Sequence, residues 1–255
     1  MSAPVPAAGP LPAASPDEPA DRPADRPADR PADRPADLPS YKLRRGRMSA
    51  ARRAALAAHA ERFAVPAGDG PLDLAALFGP GTPVVLEVGF GMGETTLAMA
   101  QADPATGLLA ADVHTPGVAA LLQGLAERGL EHVRVVEDDA RRLLRRRLAP
   151  GSLAGVRVFF PDPWPKPRHH KRRLLDASFA ALVAGRLAPG GLLHVATDWE
   201  PYAERVAGVL AAEPGLVLEQ VRHEPPPWRP RTRFEARGLA RGHVVTDLLA
   251  RRPAP

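Results

Sequence analysis

From position 84 onward, short apolar runs alternate with longer stretches that favour helix, and this alternation limits the possible folds most strongly. The runs predict five strands and two closing strands, at 84–88, 107–113, 133–137, 156–160, 191–197, 216–221 and 243–249. Helices are predicted between them at 94–101, 117–128, 140–147, 174–187 and 201–212. This alternation predicts an α/β fold with a mostly parallel, seven-stranded sheet and helices on both faces. Ligands of such sheets bind at the carboxyl ends of the strands, so functional residues are expected just after each strand.

The first forty residues have a different composition from the rest of the chain. They hold 11 of the 31 prolines, and residues 20–35 repeat Ala-Asp-Arg-Pro four times. Proline at every fourth position removes backbone donors and blocks helix, and few apolar side chains are available for burial. We therefore predict a disordered tail over 1–40 and one folded domain over 41–255. Within that domain, a helical segment is expected at about 41–80, with Ser49 as the N-cap of one helix, and the core at about 81–250.

Charge and cysteine content narrow the class of protein. The tail carries a net charge of −3 and the whole chain +5, so residues 41–255 carry +8, which favours a polyanionic partner. The chain has no cysteine, which excludes disulfides, thiolate metal sites and cysteine nucleophiles. It shows no secretory signal and no apolar run approaching the ~20 residues of a membrane span. We expect a soluble cytoplasmic protein without a membrane partner.

A glycine-rich loop follows the first predicted strand, in the sequence Glu-Val-Gly-Phe-Gly-Met-Gly over 87–93. Gly89 and Gly91 allow a tight turn and a close approach of backbone to ligand. The dinucleotide-binding pattern would place its third glycine at position 94, where this chain has Glu94, and a glutamate at a helix start repels a pyrophosphate. The loop therefore favours a nucleoside ligand without phosphates, such as S-adenosylmethionine, over a nicotinamide cofactor.

Acidic residues end three successive predicted strands beside this loop. Asp112 is placed to accept hydrogen bonds from ribose hydroxyls, and Asp139 to hold an adenine amino group. Glu87 is placed to face the positively charged methionine portion of the cofactor. The alternative for each acid taken singly is a helix cap or a surface charge.

The segment after the fourth strand combines prolines, an aspartate, a tryptophan and cations. Asp162 lies where a substrate would meet the cofactor, and Trp164 offers a flat face on which a base can stack. Five cations and two histidines follow within residues 166–173, in a pattern typical of a nucleic-acid groove; the alternative is a solvated basic loop. Adjacent histidines without a third ligand nearby do not favour a metal site, so no metal is expected.

These motifs together resemble the bacterial tRNA (guanine-N7)-methyltransferases. The resemblance rests on the glycine loop, on Pro-Asp-Pro-Trp-Pro-Lys at 161–166 with the basic run at 168–173, and on Thr-Asp-Trp-Glu at 197–200. Asp-Val-His-Thr-Pro-Gly at 112–117, Thr-Arg-Phe-Glu at 232–235 and Gly-His at 242–243 also fit it. The family implies a Rossmann-like class I S-adenosylmethionine-dependent methyltransferase fold, S-adenosylmethionine as cofactor and tRNA as partner. It also implies methyl transfer to N7 of the variable-loop guanine, tRNA position 46.

The resemblance also implies roles for individual residues. Those matching its cofactor-binding acids are Glu87, Asp112, Asp139 and Asp162, of which Asp162 is also its catalytic residue, with Gly89 and Gly91 in the cofactor loop. Those matching its substrate-binding positions are Lys166, Asp198, Thr232, Arg233, Phe234 and Glu235. Those matching its RNA-interacting stretch are Arg168, His169, His170, Lys171, Arg172 and Arg173. Two departures affect the expected RNA contacts: Arg233, where lysine is usual, and Ala236, where a basic residue is common.

Other functions remain open at this point. A Pro-Asp-Pro-Trp segment is related in outline to the loop of methyltransferases that act on an exocyclic amine of a nucleic-acid base. A catalytically idle RNA-binding subunit would need no intact set of cofactor acids. A cap for the helix begun at Pro201 is the alternative role of Asp198. The sequence leaves the oligomeric state, monomer or homodimer, open.

Overall fold

The computed structural model describes residues 48–66, 68–240 and 242–254, apart from the side chains of residues 233, 234 and 237. The predicted tail, residues 1–40, lies outside the described residues. One seven-stranded sheet has the order β3-β2-β1-β4-β5-β7-β6. Its strands are β1 Val84–Val88, β2 Gly107–Asp112, β3 Val133–Glu137, β4 Leu153–Phe159, β5 Leu187–Thr197, β6 Val217–Arg222 and β7 Thr246–Arg251. Strands β1 to β5 pair in parallel, and β7 pairs antiparallel with both β5 and β6. The predicted mostly parallel sheet is confirmed.

Helices connect the strands close to the predicted positions. They are α1 Ala50–Phe63, α2 Leu74–Phe78, α3 Glu94–Ala102, α4 Thr115–Arg128, α5 Ala140–Arg142, α6 Ala177–Arg186, α7 Glu200–Ala212 and α8 Arg233–Leu239. A π-helical turn, Leu143–Arg147, continues α5, and a 3-10 helix, Pro167–Arg172, precedes α6. The hydroxyl of Ser49 accepts the Arg52 amide, so the predicted N-cap of α1 is confirmed. Within the described ranges, no helix has the length and apolar character that a membrane span requires.

Side chains alternate between the two faces of the sheet along each strand, and they form one apolar layer on each face. Leu86 and Val88 point into the layer that includes Phe179 of α6. Val85, from the same strand, points into the opposite layer with Leu121 of α4, to which Phe63 of α1 also belongs. Because every residue of β1 is buried, helices must cover both faces, as the uninterrupted apolar run predicts.

Several element boundaries differ from the prediction by a few residues, and two of the differences have a clear local cause. The helix expected from residue 174 begins at Ala177, because the Asp176 side chain accepts the Phe179 amide and so caps it there. The fifth strand begins at Leu187 rather than at 191, where Leu187 pairs with Leu153 of β4. The start of α6 lies on the carboxyl side of the sheet, where Asp176 also pairs with Arg141 just after β3, whereas the start of β5 lies at the opposite, amino edge.

Candidate active site

The glycine loop between β1 and α3 is anchored to the end of β2. Gly89 and Gly91 have φ angles of 78° and 61°, in the left-handed region that favours glycine. The Gly91 amide donates to Oδ2 of Asp112 at 2.8 Å, and the His114 amide donates to Oδ1 at 2.9 Å. A Cβ added at either glycine would meet nothing within 4 Å, so the loop presents bare backbone to open space. This arrangement suits a ligand that lies directly against the main chain.

Glu87, the penultimate residue of β1, is a buried acid and is only 3% exposed. Among the described residues, its Oε2 has no hydrogen-bond partner. Burial raises the pKa of Glu87 to about 7, against the lowering effects of Thr96 and of Arg157, its neighbour on β4; the negative charge of Asp112 adds to the rise. A buried carboxylate oxygen without a partner marks a position where a cationic or hydrogen-bonding ligand group would be stabilised.

Asp139 follows β3 and caps α5. Its Oδ1 accepts the amides of Arg141 and Arg142 at 2.9 and 3.2 Å, so the capping alternative applies to this acid. The preceding Asp138 is more deeply buried and accepts Nε of Arg142 at 2.6 Å. Sequence reasoning singled out only the second of these two acids. The cofactor role of Asp139 stays a prediction, because its half-buried carboxylate keeps acceptor capacity beyond these bonds.

The proline-rich loop after β4 holds two residues in a strained backbone conformation. Phe160 and Trp164 have φ angles of 50° and 42°, which cost roughly 1–3 kcal/mol for residues other than glycine. The Phe160 amide donates to the carbonyl of Ala196 on β5 at 2.7 Å, which ties the start of the loop to the sheet. Asp162 lies between the two strained residues and is exposed. The loop therefore presents this carboxylate to solvent at the carboxyl edge of the sheet.

Arg173 holds this loop from the protein side. It is 5% exposed, and its Nε and Nη2 donate to the carbonyls of Pro163 and Trp164 at 2.8 and 3.5 Å. Its guanidinium also lies 5.0 Å from the ring centre of Tyr202. The sequence placed Arg173 among the RNA-interacting cations, and that role stays a prediction; in the structure its guanidinium is buried and donates to two loop carbonyls.

The remaining members of the basic run lie on or beside the 3-10 helix. Lys166, Arg168 and Lys171 are exposed. The guanidinium of Arg172 lies 5.1 Å from the ring centre of Trp164, and the His169 ring packs edge-on against the same indole at 5.6 Å. His170 places Nε2 3.3 Å from the carbonyl of Pro165. Trp164 thus lies between a cationic and an imidazole group, next in sequence to three exposed cations.

Asp198 follows β5 and contacts the C-terminal segment. Its Oδ2 lies 3.3 Å from Nδ1 of His243. Helix α7 has Trp199 as its N-cap residue, and no side chain caps it, so the capping alternative for Asp198 is not borne out. In the sequence, His243 was noted only as part of the Gly-His motif. In the structure it contacts Asp198, a candidate substrate-binding acid.

A buried ionic cluster, which sequence reasoning missed, anchors the C-terminal segment to the sheet. The Arg229 guanidinium donates to both oxygens of Asp247 at 2.7 and 2.8 Å and to both oxygens of Glu235 at 2.7 and 2.9 Å. Nε2 of His194 on β5 lies 2.6 Å from Asp247, and burial keeps the pKa of His194 below its ordinary value. All four side chains are at most 1% exposed. The only signal in the sequence was an arginine amid prolines, and its two acidic partners follow 6 and 18 residues later.

This cluster holds the start of helix α8 through Glu235. Thr232 and Glu235 form a capping box, in which the Glu235 amide donates to the Thr232 hydroxyl and Glu235 accepts the Thr232 amide. Because Glu235 is also bound by Arg229, its carboxylate is committed to structure while Thr232 remains partly exposed. We call residues 230–235 the C-terminal lip. No group of metal-ligating side chains was found among the described residues.

Comparison with known proteins supports one family. A family model described as "Putative methyltransferase" matches residues 81–248. The tRNA (guanine-N(7)-)-methyltransferase of Nitrosospira multiformis is 50% identical over 84% of this chain and 93% of its own length. That of Streptomyces coelicolor is 62% identical over 71% and 68%, and that of Aromatoleum aromaticum 47% identical over 94% of each.

Solved structures agree on the fold. The 16S rRNA methyltransferase KamB is 17% identical with a TM-score of 0.53, over 76% of this chain and 99% of that one. The aminoglycoside resistance methyltransferase NpmB1 is 18% identical with a TM-score of 0.50, over 70% and 91%. The class I S-adenosylmethionine-dependent methyltransferase fold is therefore confirmed, and the chain belongs to the tRNA (guanine-N7)-methyltransferase family.

Proposed function

We propose that this protein transfers the methyl group of S-adenosylmethionine to N7 of a guanine in tRNA. The names of its relatives give the reaction and the acceptor. In the chain itself, one observation carries the proposal: an open glycine loop and acidic residues at the ends of β1 to β3 adjoin a loop after β4 that pairs an aspartate with a basic surface. Within tRNA, we propose the variable-loop guanine, position 46, as the target.

The residues of the glycine loop fit S-adenosylmethionine. When bound, this cofactor supplies a methyl group made electrophilic by its sulfonium. Gly89 and Gly91 offer bare backbone, and Asp112 keeps lone pairs for ribose hydroxyls beside its two loop amides. Glu87 would face a positive charge with its unpartnered Oε2, and Asp139 would accept from the adenine amino group. The set is acidic, which suits a cationic ligand and opposes a phosphate-bearing one.

Methylation of guanine N7 does not require the protein to supply a general base. N7 has a free lone pair at neutral pH, so no base needs to remove a proton before attack. The purine becomes cationic as the N7–methyl bond forms and the bond from that methyl to the sulfonium sulfur breaks, which would leave S-adenosylhomocysteine. A carboxylate placed beside the purine lowers the barrier. We propose that Asp162 holds the guanine edge and balances this charge, while Asp198 helps to orient the base. The exposed position of Asp162 leaves it accessible to a guanine brought in by RNA.

RNA binding is assigned to the basic surface around Trp164. Lys166, Arg168 and Lys171 would contact phosphates, with the histidines at 169 and 170 nearby. Arg172 lies over Trp164 and would support a base stacked on the indole. Arg173 acts as a positioning residue, since it holds the carbonyls of the loop that carries Asp162. The backbone of Arg233 and Phe234 opens α8 next to Thr232, where the family places further substrate contacts.

The role of the tail and the location of the protein are separate proposals. We propose that residues 1–40 are a dispensable extension of the methyltransferase domain at 41–255. We also propose that this domain acts on tRNA in the cytoplasm. Deletion of 1–40 should leave the single-turnover rate within a few-fold of the full chain. A large loss of rate would instead make the tail part of the RNA-binding machinery.

Methyl transfer to RNA tests the proposal directly. Unmodified tRNA transcript is mixed with the full chain and S-adenosylmethionine labelled in its methyl group. We expect label in the tRNA and a loss of about 10²–10³-fold in rate for Asp162→Asn, the usual cost of removing a group that stabilises developing charge. Asp69→Asn, at an exposed surface ion pair, is the matched control and should stay within twofold. Absence of label with cofactor bound would refute the proposal.

A further inference from the structure

A groove separates α3 from the C-terminal lip, and Thr232 is the one of its lining residues to which the function proposed above refers. It encloses about 450 Å³. Glu94, Ala98 and Gln101 line one side, and Arg128, Arg231 and Thr232 line the other parts. From Glu94 to Gln101 the groove follows roughly 10 Å of α3, at about 1.5 Å per residue. We call it the α3–lip groove. It is long enough for part of a nucleic-acid strand.

Small residues keep the groove open. Ala98 is exposed at the centre of the α3 face, where a longer side chain would fill the space. Gly124 of α4 lets the two helices approach, because a Cβ there would lie 2.6 Å from Cδ1 of Leu97. The same missing Cβ allows Arg128 to lie back along α4, where its Nη1 donates to the Gly124 carbonyl at 3.1 Å. The guanidinium is thereby held at the groove wall with 39% of the side chain exposed.

The charges of the groove favour an anion with hydroxyl donors. Arg128 has an acidic neighbour in Glu127, but at 3.8 Å and on the surface this pair is weak, which leaves the guanidinium available. Arg231 is exposed at the lip, so two guanidiniums face one carboxylate, Glu94. Guanidinium groups pair well with phosphate, and carboxylate, carboxamide and hydroxyl groups pair with sugar hydroxyls. A ribose-phosphate strand carries both kinds of partner.

The groove adjoins the glycine loop and the C-terminal lip, because Glu94 directly follows the loop and Arg231 and Thr232 belong to the lip. Arg229, two residues before Arg231, places its guanidinium 5.7 Å from the ring centre of Phe160. Phe160 begins the loop that carries Asp162, and Thr232 both lines the groove and caps α8. A strand leaving the guanine site toward the lip would therefore enter the groove. We propose that the α3–lip groove binds the ribose-phosphate backbone of the substrate tRNA beside the target guanosine, through Arg128 and Arg231. This inference rests on the proposed function.

Equilibrium binding of unmodified tRNA transcript to the full chain tests the groove. Affinity is measured by fluorescence anisotropy with saturating S-adenosylhomocysteine over a series of salt concentrations. The double variant Arg128→Ala with Arg231→Ala should raise Kd at least tenfold and reduce the slope of log K against log salt by about one to two, since each lost phosphate contact removes roughly 0.7–0.9. Ala98→Leu should also raise Kd, because it fills the groove and keeps the strand away from both arginines without removing a charge from the protein. Arg146→Ala removes an arginine of a surface ion pair elsewhere and should bind like the wild type.

The outcomes separate the groove from the reaction. Suppose that the wild type binds and methylates tRNA, and that the double variant and Ala98→Leu both keep the wild-type Kd and salt slope. This result would refute the groove proposal and leave the proposed function standing. A wild type that neither binds nor methylates tRNA would overturn the groove and the proposed function together. If the double variant unfolds, Ala98→Leu alone tests the groove. This variant should fold, because leucine is nearly as favourable as alanine at an exposed helix position. An equal loss in Arg146→Ala would also overturn the groove, since it would show a general charge effect.

Discussion

Replacing Glu87 by glutamine should stabilise the cofactor-free protein and weaken cofactor binding at the same time. Glu87 is 3% exposed and has a carboxylate oxygen without a partner among the described residues. Burial raises its pKa from the ordinary value of 4.5 to about 7. At about 1.4 kcal/mol per pKa unit, the buried charge costs the folded state about 3 kcal/mol above pH 7. Glutamine has nearly the same shape and carries no charge, so the variant avoids this cost.

The sign of the pH dependence follows from the direction of the shift. Between the two pKa values the folded state binds more protons than the unfolded state, so stability falls as pH rises. Urea unfolding of the cofactor-free wild type, measured against Glu87→Gln, should therefore show the variant gaining about 2–3 kcal/mol relative to the wild type between about pH 5 and pH 8. Glu204→Gln, on the exposed face of α7, should show no such gain.

Cofactor affinity should change in the opposite direction. A positive group beside Glu87 pairs with the ionised form, so wild-type affinity for S-adenosylhomocysteine should fall as pH drops below 7, by up to about tenfold per unit. Calorimetry of Glu87→Gln should show at least tenfold weaker binding at about pH 8 and little pH dependence of this origin. Equal stability of wild type and variant at both pH values, or the same pH dependence of binding in both, would refute the reasoning.

Two further substitutions test the scaffold of the site. Arg229→Met leaves two buried carboxylates without a counter-charge and should cost about 3–5 kcal/mol of stability in thermal unfolding, whereas Arg251→Ala at a half-exposed pair should cost at most about 1 kcal/mol; equal losses would contradict the role of the buried cluster. Gly117→Ala would place a Cβ 1.9 Å from the Gly91 carbonyl, so it should displace the glycine loop and weaken S-adenosylhomocysteine binding more than tenfold. Gly208→Ala, a helical glycine with open space around it, should leave that affinity unchanged and add up to about 1 kcal/mol of stability.

The sheet could be predicted because each strand carries its own local signal. The apolar, β-branched run at Val84–Val88 specifies a strand buried on both faces, and Ser49 specifies a helix start. Helix α8 was not predicted. The Thr-x-x-Glu capping box at 232–235 is a local signal for its start, but its seven residues lack apolar periodicity. Its position depends on Arg229, which binds Glu235 and also Asp247 on the last strand. Tertiary contacts of that kind are invisible to a local pattern.

The site shows the same division. Acids just after parallel strands could be predicted, because topology alone brings those strand ends to one edge. The run of cations at 168–173 gave no means of telling Arg173 from its neighbours. Only the fold places Tyr202 and the loop carbonyls around that guanidinium. Likewise, the capping of α5 by Asp139 and the contact of Asp198 with His243 are visible only in the three-dimensional structure.

The position of the transferred methyl group tests the central claim most directly. tRNA methylated by the full chain is treated with borohydride and then aniline, which cleaves RNA at N7-methylguanine. We predict cleavage at one site, the variable-loop guanine, and none in tRNA treated with Asp162→Ala. Label incorporated without cleavage would contradict the account, because it would place the methyl on another atom, such as an exocyclic amine.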